Sequence, residues 1–114
     1  SVATYEGWCK AADAKIDWDK PAIEIHNLIR GCDPSPGAHT TINSEKISLY
    51  KSRLDTKSSN MPYGKITSIN NDSISISANG GNLIIERVQL AGNPKQYIPD
   101  FLKTHKIKIG DTFK

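Results

Sequence analysis

The sequence predicts a mainly β domain with one principal helix, its strands forming a small antiparallel barrel or roll. Three observations carry that reading. A single stretch, Lys20 to Arg30, has helical period and boundary signals at both ends. The chain beyond Arg30 divides into five or six short segments with strand alternation or β-branched composition. Turn signals rich in Gly and Asn separate those segments, and short strands joined in this way pack as barrels or rolls.

Each element follows from local chemistry. Residues 1–15 show no sustained period and read as a linker, which leaves 16–114 as the domain proper. Ile16 and Trp18 flank Asp17 in alternation, predicting a short extended segment that pins the linker to the domain. Asp19 is a good N-cap, Lys20 and Pro21 suit a first turn, and Gly31 offers a left-handed C-cap. At about 100° per residue, Ala22, Ile25, His26, Leu28 and Ile29 share one side of the helix. Ile23, Glu24, Asn27 and Arg30 lie nearer its margins.

Pro34 and Pro36 fix two φ angles and Gly37 frees the next, so the chain turns sharply into a first strand, Ala38–Ile42. Asn43-Ser44 is a tight-turn signal leading to a hairpin partner, Lys46–Leu54. Thr56–Tyr63 reads as a loop and Gly64–Ile69 as a third strand. In the fourth, Ser73–Ala78, alternation puts Ile74, Ile76 and Ala78 inward and Ser73, Ser75 and Ser77 outward. Asn79-Gly80-Gly81-Asn82 turns the chain into a fifth strand, Leu83–Leu90. A loop at Ala91–Gln96, one or two helical turns at Pro99–Thr104 and an edge strand at Ile107–Phe113 complete the chain.

A chain of 114 residues fits one domain, and 37% hydrophobic with 24% charged residues places it among globular proteins rather than disordered ones. No apolar run approaches the ~20 residues of a membrane helix, and no leader of charged then apolar residues opens the chain. No membrane partner and a cytoplasmic location are therefore expected. The chain opens on Ser1 and its only methionine is Met61, which favours a piece of something longer. Cys9 and Cys32 show neither zinc spacing nor the density of a disulfide scaffold, and read as reduced, incidental thiols.

Three histidines invite a metal or acid-base reading. His26, His39 and His105 form no pair at the spacing of helical ligands, so no metal is expected. His26 and Asn27 are adjacent on the helix and point about 100° apart, so they cannot aim at one atom. No catalytic residue is assigned. A net charge of +3 is mild, permitting an acidic partner without requiring one.

The order D-A-x-I-D-W from Asp13, K-P-A from Lys20, I-H-N-x-I-R-G from Ile25 and P-x-P-G-A-x-T-T from Pro34 resembles the start of the C-terminal domain of the folate-dependent formyltransferases. That family includes methionyl-tRNA formyltransferase and the hydrolase region of 10-formyltetrahydrofolate dehydrogenase. The resemblance covers Ala3 to Thr41 well and the remainder less closely. It departs from many tRNA-formylating members at Cys32, Asp33 and Ser35.

The resemblance implies a barrel similar to the OB-fold. It also implies a parent enzyme that takes the formyl group of 10-formyltetrahydrofolate and delivers it to an amine or to water. The family's catalytic asparagine, histidine and aspartate belong to a preceding N-terminal domain, so this chain is expected to bind no cofactor itself and to position the acceptor or buttress that domain. The residues shared with the family are Asp13, Ile16, Asp17, Trp18, Asn27, Arg30, Pro36, Gly37 and Ala38, read as fold or domain-interface residues. Lys46, Lys51, Arg53, Lys65, Lys106 and Lys108 are candidate phosphate contacts for a weakly bound tRNA. An independent nucleic-acid-binding module is the alternative, although Tyr50 and Tyr63 stand alone in sequence and give no aromatic-interleaved stripe.

Overall fold

A computed structural model describes residues 14–33, 37–57 and 61–114. Helix α1 (Ala22–Gly31) leads into strands β1 (Ala38–Ile42), β2 (Glu45–Asp55), β3 (Ile66–Ile69), β4 (Ile74–Ala78), β5 (Gly81–Leu90) and β6 (Gln96–Tyr97), and helix α2 (Ile98–Thr104) comes last. All pairings between these strands are antiparallel, in the order β1-β2-β5-β4-β3, with β6 added to β5. Among the described residues no helix is long and apolar enough to cross a membrane.

Helix α1 begins later than its sequence signals predict. Lys20 precedes a proline, and clash with the pyrrolidine ring holds such a residue out of helical geometry. The N-cap is therefore Pro21, at φ −56° and ψ 145°, with no capping side chain. Asp19 does not cap; its backbone N–H donates to Asp17 Oδ1 at 3.0 Å in a turn before the helix. The amide of Ala22 instead donates to Asn79 O at 2.7 Å, which ties the helix start to the β4–β5 turn. Asp19→Ala is accordingly expected to shift stability by less than about 0.5 kcal/mol, whereas loss of a true cap costs about 1 kcal/mol. Urea titration of the two chains separates these values.

At the other end Gly31 stays helical and Cys32 takes the C-cap in right-handed geometry. Ala22, Ile25 and Ile29 are buried, while His26 and Leu28, expected beside them, are half-buried. Cys32 is fully buried and disulfide-bonded, so it is not the reduced, incidental thiol expected; Cys9 lies outside the described residues.

The strands obey their turn chemistry closely. Asn43 and Ser44 have φ of 50° and 67°, the two left-handed residues of a two-residue hairpin turn, and Ile42 pairs with Glu45 across it. Gly80, at φ 87°, turns β4 into β5. Ser73 and Ser77, expected to face solvent, are 3% and 1% exposed. A covering segment explains Ser77, which takes the Gly64 amide on its carbonyl at 2.7 Å and donates Oγ–H to Met61 O at 3.1 Å.

Residue Lys51 interrupts β2. It has φ of 51°, and the ladder to β5 passes from Tyr50↔Arg87 to Ser52↔Ile85 without a Lys51–Glu86 pair. Left-handed geometry is unfavourable for a side chain with a Cβ. Asp33 Oδ2 accepts the Lys51 amide at 3.3 Å.

The expected edge strand Ile107–Phe113 is absent as a strand, because its backbone serves two different partners in turn. Ile66 donates to Asp111 O, Gly110 to Ile66 O and Phe113 to Gly64 O, all at 2.7–2.9 Å, which occupies the edge beside β3. Lys114 and Thr41 then exchange two bonds of 2.8 and 3.1 Å on the edge of β1. The rest of that edge is met by the approach segment, since His39 donates to Ala14 O and Ile16 to His39 O, both at 2.8 Å. Strands β1 and β3 do not pair with each other, so the sheet is not closed. The last residues of the chain span the gap and the approach segment covers β1.

Candidate functional site

The two ends of the described chain meet at a seam around Trp18. Its indole is 7% exposed and lies 5.9 Å, centroid to centroid, from Phe113. Nε1–H donates to Thr40 Oγ1 at 2.9 Å, and the Thr40 hydroxyl in turn donates to Lys114 O at 2.8 Å. Gly64, at φ 85°, runs so close that a Cβ there would stand 2.6 Å from Phe113 O and 3.3 Å from Trp18 Cγ. Beside this packed seam lies an open groove of about 530 Å³, with Lys15, Asp17, Asp19, Tyr63 and Thr112 on its walls.

The residues assigned by resemblance divide into two groups. Ile16, Trp18, Gly37 and Ala38 are buried. Gly37 has φ of 87°, and a Cβ on it would come within 2.3 Å of Tyr50 Oη, so the phenol occupies the space a side chain would need. Asp17, Asn27 and Arg30 are exposed, Asp17 shaping the turn before α1. Asn27 and Arg30 stand four and seven residues after Ile23, which is 49% exposed, so the three form one solvent-facing stripe on α1. Asp13 and Pro36 lie outside the described residues.

The candidate phosphate contacts are not equivalent. Lys65 Nζ is committed inside the fold, to Gly110 O at 3.1 Å and Thr112 Oγ1 at 2.9 Å. Arg53 pairs with Glu86 at 2.7 Å on the surface. Lys46, Lys51, Lys106 and Lys108 are exposed. Sequence reasoning missed a cluster at Tyr97. Arg87 Cζ lies 4.9 Å and Lys51 Nζ 5.6 Å from its ring centroid, and Lys95 Nζ lies 4.2 Å from that of Tyr50. Tyr50 thus does not stand alone, and its hydroxyl also donates to Gln89 Oε1 at 3.0 Å. The missed signal is β6, two residues long, where the sequence reading ends a loop at Gln96 and assigns Tyr97 to no element.

His26 Nδ1 lies 2.8 Å from Ser52 Oγ and ties α1 to β2 just past Lys51. Among the described residues no carboxylate hydrogen-bonds its other ring nitrogen, so the pair lacks the orienting group of an activated nucleophile. Burial, then the Arg30 charge, lowers the His26 pKa below its ordinary 6.5. Burial, with Lys46 and Lys15, does the same to His39. A depressed histidine binds its proton less readily in the fold than in the unfolded chain. Stability is therefore complete above pH 6.5 and declines as pH falls, flattening below the folded-state values. His26→Gln should make that decline shallower, as read from urea midpoints across the acid range. Stability that increases on acidification would contradict the assignment.

The described residues thus form an incomplete antiparallel sheet sealed by its own terminal segments, with an exposed stripe on α1. Residues 9–106 match the family described as formyl transferase, C-terminal domain, and the chain belongs to that family. It is 39% identical over 104 residues to methionyl-tRNA formyltransferase of Lactococcus lactis, covering 89% of this chain and 33% of that one. With the enzyme of the same name from Clostridium novyi it shares 33% over 114 residues, 100% of this chain and 37% of the other. The chain thus spans about a third of the length of these relatives. The structure of HypX from Aquifex aeolicus in complex with tetrahydrofolic acid superposes at a TM-score of 0.70 with 15% identity, over 93% of this chain and 21% of that one, a likeness of fold.

Proposed function

We propose that this chain is the accessory C-terminal domain of an enzyme that moves the formyl group of 10-formyltetrahydrofolate, and that it docks against a preceding catalytic domain and holds the formyl acceptor near it. Residues 1–15 connect the two, the last of them already seated on β1, and 16–114 form the domain proper. Folate and the formyl-transfer chemistry belong to the catalytic domain, in the cytoplasm. The tRNA named for the Lactococcus lactis and Clostridium novyi relatives is the acceptor class this reading favours.

One observation supports docking above the others. Ile23, Asn27 and Arg30 face solvent together on α1, although two of them belong to the motif by which the chain resembles its family. Exposed polar residues with no packing role are more consistent with recognition than with stability.

Mixing the chain with the separately purified N-terminal domain of a methionyl-tRNA formyltransferase tests this reading. Binding is expected by calorimetry, and Asn27→Ala combined with Arg30→Ala should weaken it about tenfold or more while leaving the melting temperature unchanged. Undiminished binding by the double variant would remove the α1 stripe from the interface.

A further inference from the structure

The β4–β5 turn holds an Asn-Gly step, Asn79-Gly80, where the sheet meets the start of α1. Ala78 pairs with Gly81 across it, so these exposed residues are the whole of the turn. Asparagine is thermolabile because the amide nitrogen of the next residue attacks its side-chain carbonyl carbon, and glycine alone leaves that nitrogen unshielded by a Cβ. Here both partners are free. Among the described residues no hydrogen bond engages the Asn79 carboxamide or the Gly80 N–H, and a Cβ on Gly80 would meet nothing within 4 Å. The other described asparagines each lack a requirement. Asn82 is buried with Nδ2 donating to Lys57 O at 2.7 Å, Asn93 precedes Pro94, which has no N–H, and Asn27 lies inside α1. Asn43, Asn70 and Asn71 precede residues that carry a side chain.

We infer that Asn79 is a deamidation site, and that its isoaspartyl product supplies α1 with the capping carboxylate the helix lacks. Gly80 N bonds to Asn79 Cγ, the Cγ–Nδ2 bond breaks, and ammonia leaves with the Gly80 amide proton. Water then opens the cyclic imide. Cleavage between Gly80 N and the former main-chain carbonyl carbon routes the chain through Cβ and Cγ, and frees that carbonyl as a carboxylate on the Asn79 Cα. Its oxygen is the atom that already accepts the Ala22 N–H at 2.7 Å. Helix α1 has Pro21 at its N-cap and no capping side chain, so an anion here meets the positive end of the helix in a charge-assisted bond. The extra main-chain atom is taken up at Gly80, where space is open, because the backbone of Gly81 is closely packed against Asp55 O. Ring closure rotates the Asn79–Gly80 peptide and breaks the Ala22 bond for its duration, so the rate follows local opening of the helix start. The inference uses neither the docking stripe nor formyl chemistry.

The test is to incubate the 114-residue chain at mildly alkaline pH and physiological temperature, folded and in urea, and to map its peptides by mass spectrometry. Conversion is expected first at Asn79, and faster in urea, where the gating bond is gone. Isoaspartyl carboxyl methyltransferase with labelled S-adenosylmethionine should mark the same peptide, and Asn79→Gln, whose longer side chain closes the ring poorly, should abolish the label without changing the melting temperature. In the converted, isotope-labelled chain the Ala22 amide resonance should move and titrate with pH in the ordinary carboxylate range. Its exchange with solvent should slow about two- to fivefold, the range for an anion at a helix N-terminus. Asn79→Asp keeps the main-chain carbonyl on Ala22 and should shift that amide less. First conversion in the folded chain at any other asparagine, a rate unaffected by urea, label that persists in Asn79→Gln, an Ala22 amide unmoved by conversion, or a converted chain that unfolds would each overturn the proposal.

Discussion

Trp18→Ala is expected to destabilise the domain by about 3–5 kcal/mol, the range for truncating a buried aromatic side chain. Against a total of about 5–15 kcal/mol for a small domain, this brings the chain close to unfolding. Two losses combine. The ring vacates its place against Phe113 and beside the Gly64 backbone, and that backbone cannot collapse inward because it is bonded to Ser77 O on one side and Phe113 N on the other. The indole also ceases to donate to Thr40, whose hydroxyl is 1% exposed and anchors the Lys114 carbonyl. Trp18→Phe should recover most of the packing and fall short by about 1 kcal/mol for the hydrogen bond. Urea denaturation with linear extrapolation measures both. A loss below about 1 kcal/mol in Trp18→Ala would mean that the seam is not part of the cooperative core.

The second large effect is expected at Gly37→Ala, about 3 kcal/mol. Placing a Cβ on a residue at φ 87° costs about 1–2 kcal/mol in backbone strain. The new methyl also meets Tyr50 Oη at 2.3 Å and Cζ at 2.7 Å. Tyr50 is 1% exposed and held by Gln89, so it cannot swing aside freely, and overpacking of this kind costs about 1–3 kcal/mol. Removing the hydroxyl relieves the nearest contact. Gly37→Ala in a Tyr50→Phe background should therefore cost less than in the parent chain, a coupling that a double-mutant cycle measures directly. Additive losses would place the cost in backbone strain alone.

Neighbouring residues decide the features that were legible in the sequence. Strand β1 came out at its observed bounds because Pro36-Gly37 and Asn43-Ser44 punctuate it, and β2 and β5 emerged from alternation and turn residues. Local rules in competition produced the error at α1: an aspartate two residues before a proline looks like a cap, yet the proline excludes Lys20 from the helix. The remaining surprises are non-local. Nothing near Gly110 announces that the last residues will cross from Ile66 to Thr41, and Lys51 reads as an ordinary alternating lysine until Asp33 is brought to its amide. The Tyr97 cluster depends on β6, whose pairing exists only because β5 offers an open edge there. Family membership was legible for a different reason, since the motif between Asp13 and Thr41 stands in continuous sequence.

The most direct measurement of the accessory role is formyl release from 10-formyltetrahydrofolate by the purified 114-residue chain, with water or an amine as acceptor. His26 is the sole histidine on α1 and is engaged with Ser52 rather than with a carboxylate. No release above the uncatalysed rate is expected, from a chain that unfolds cooperatively in urea. Release that is abolished by His26→Ala would contradict this and place catalysis within the chain itself.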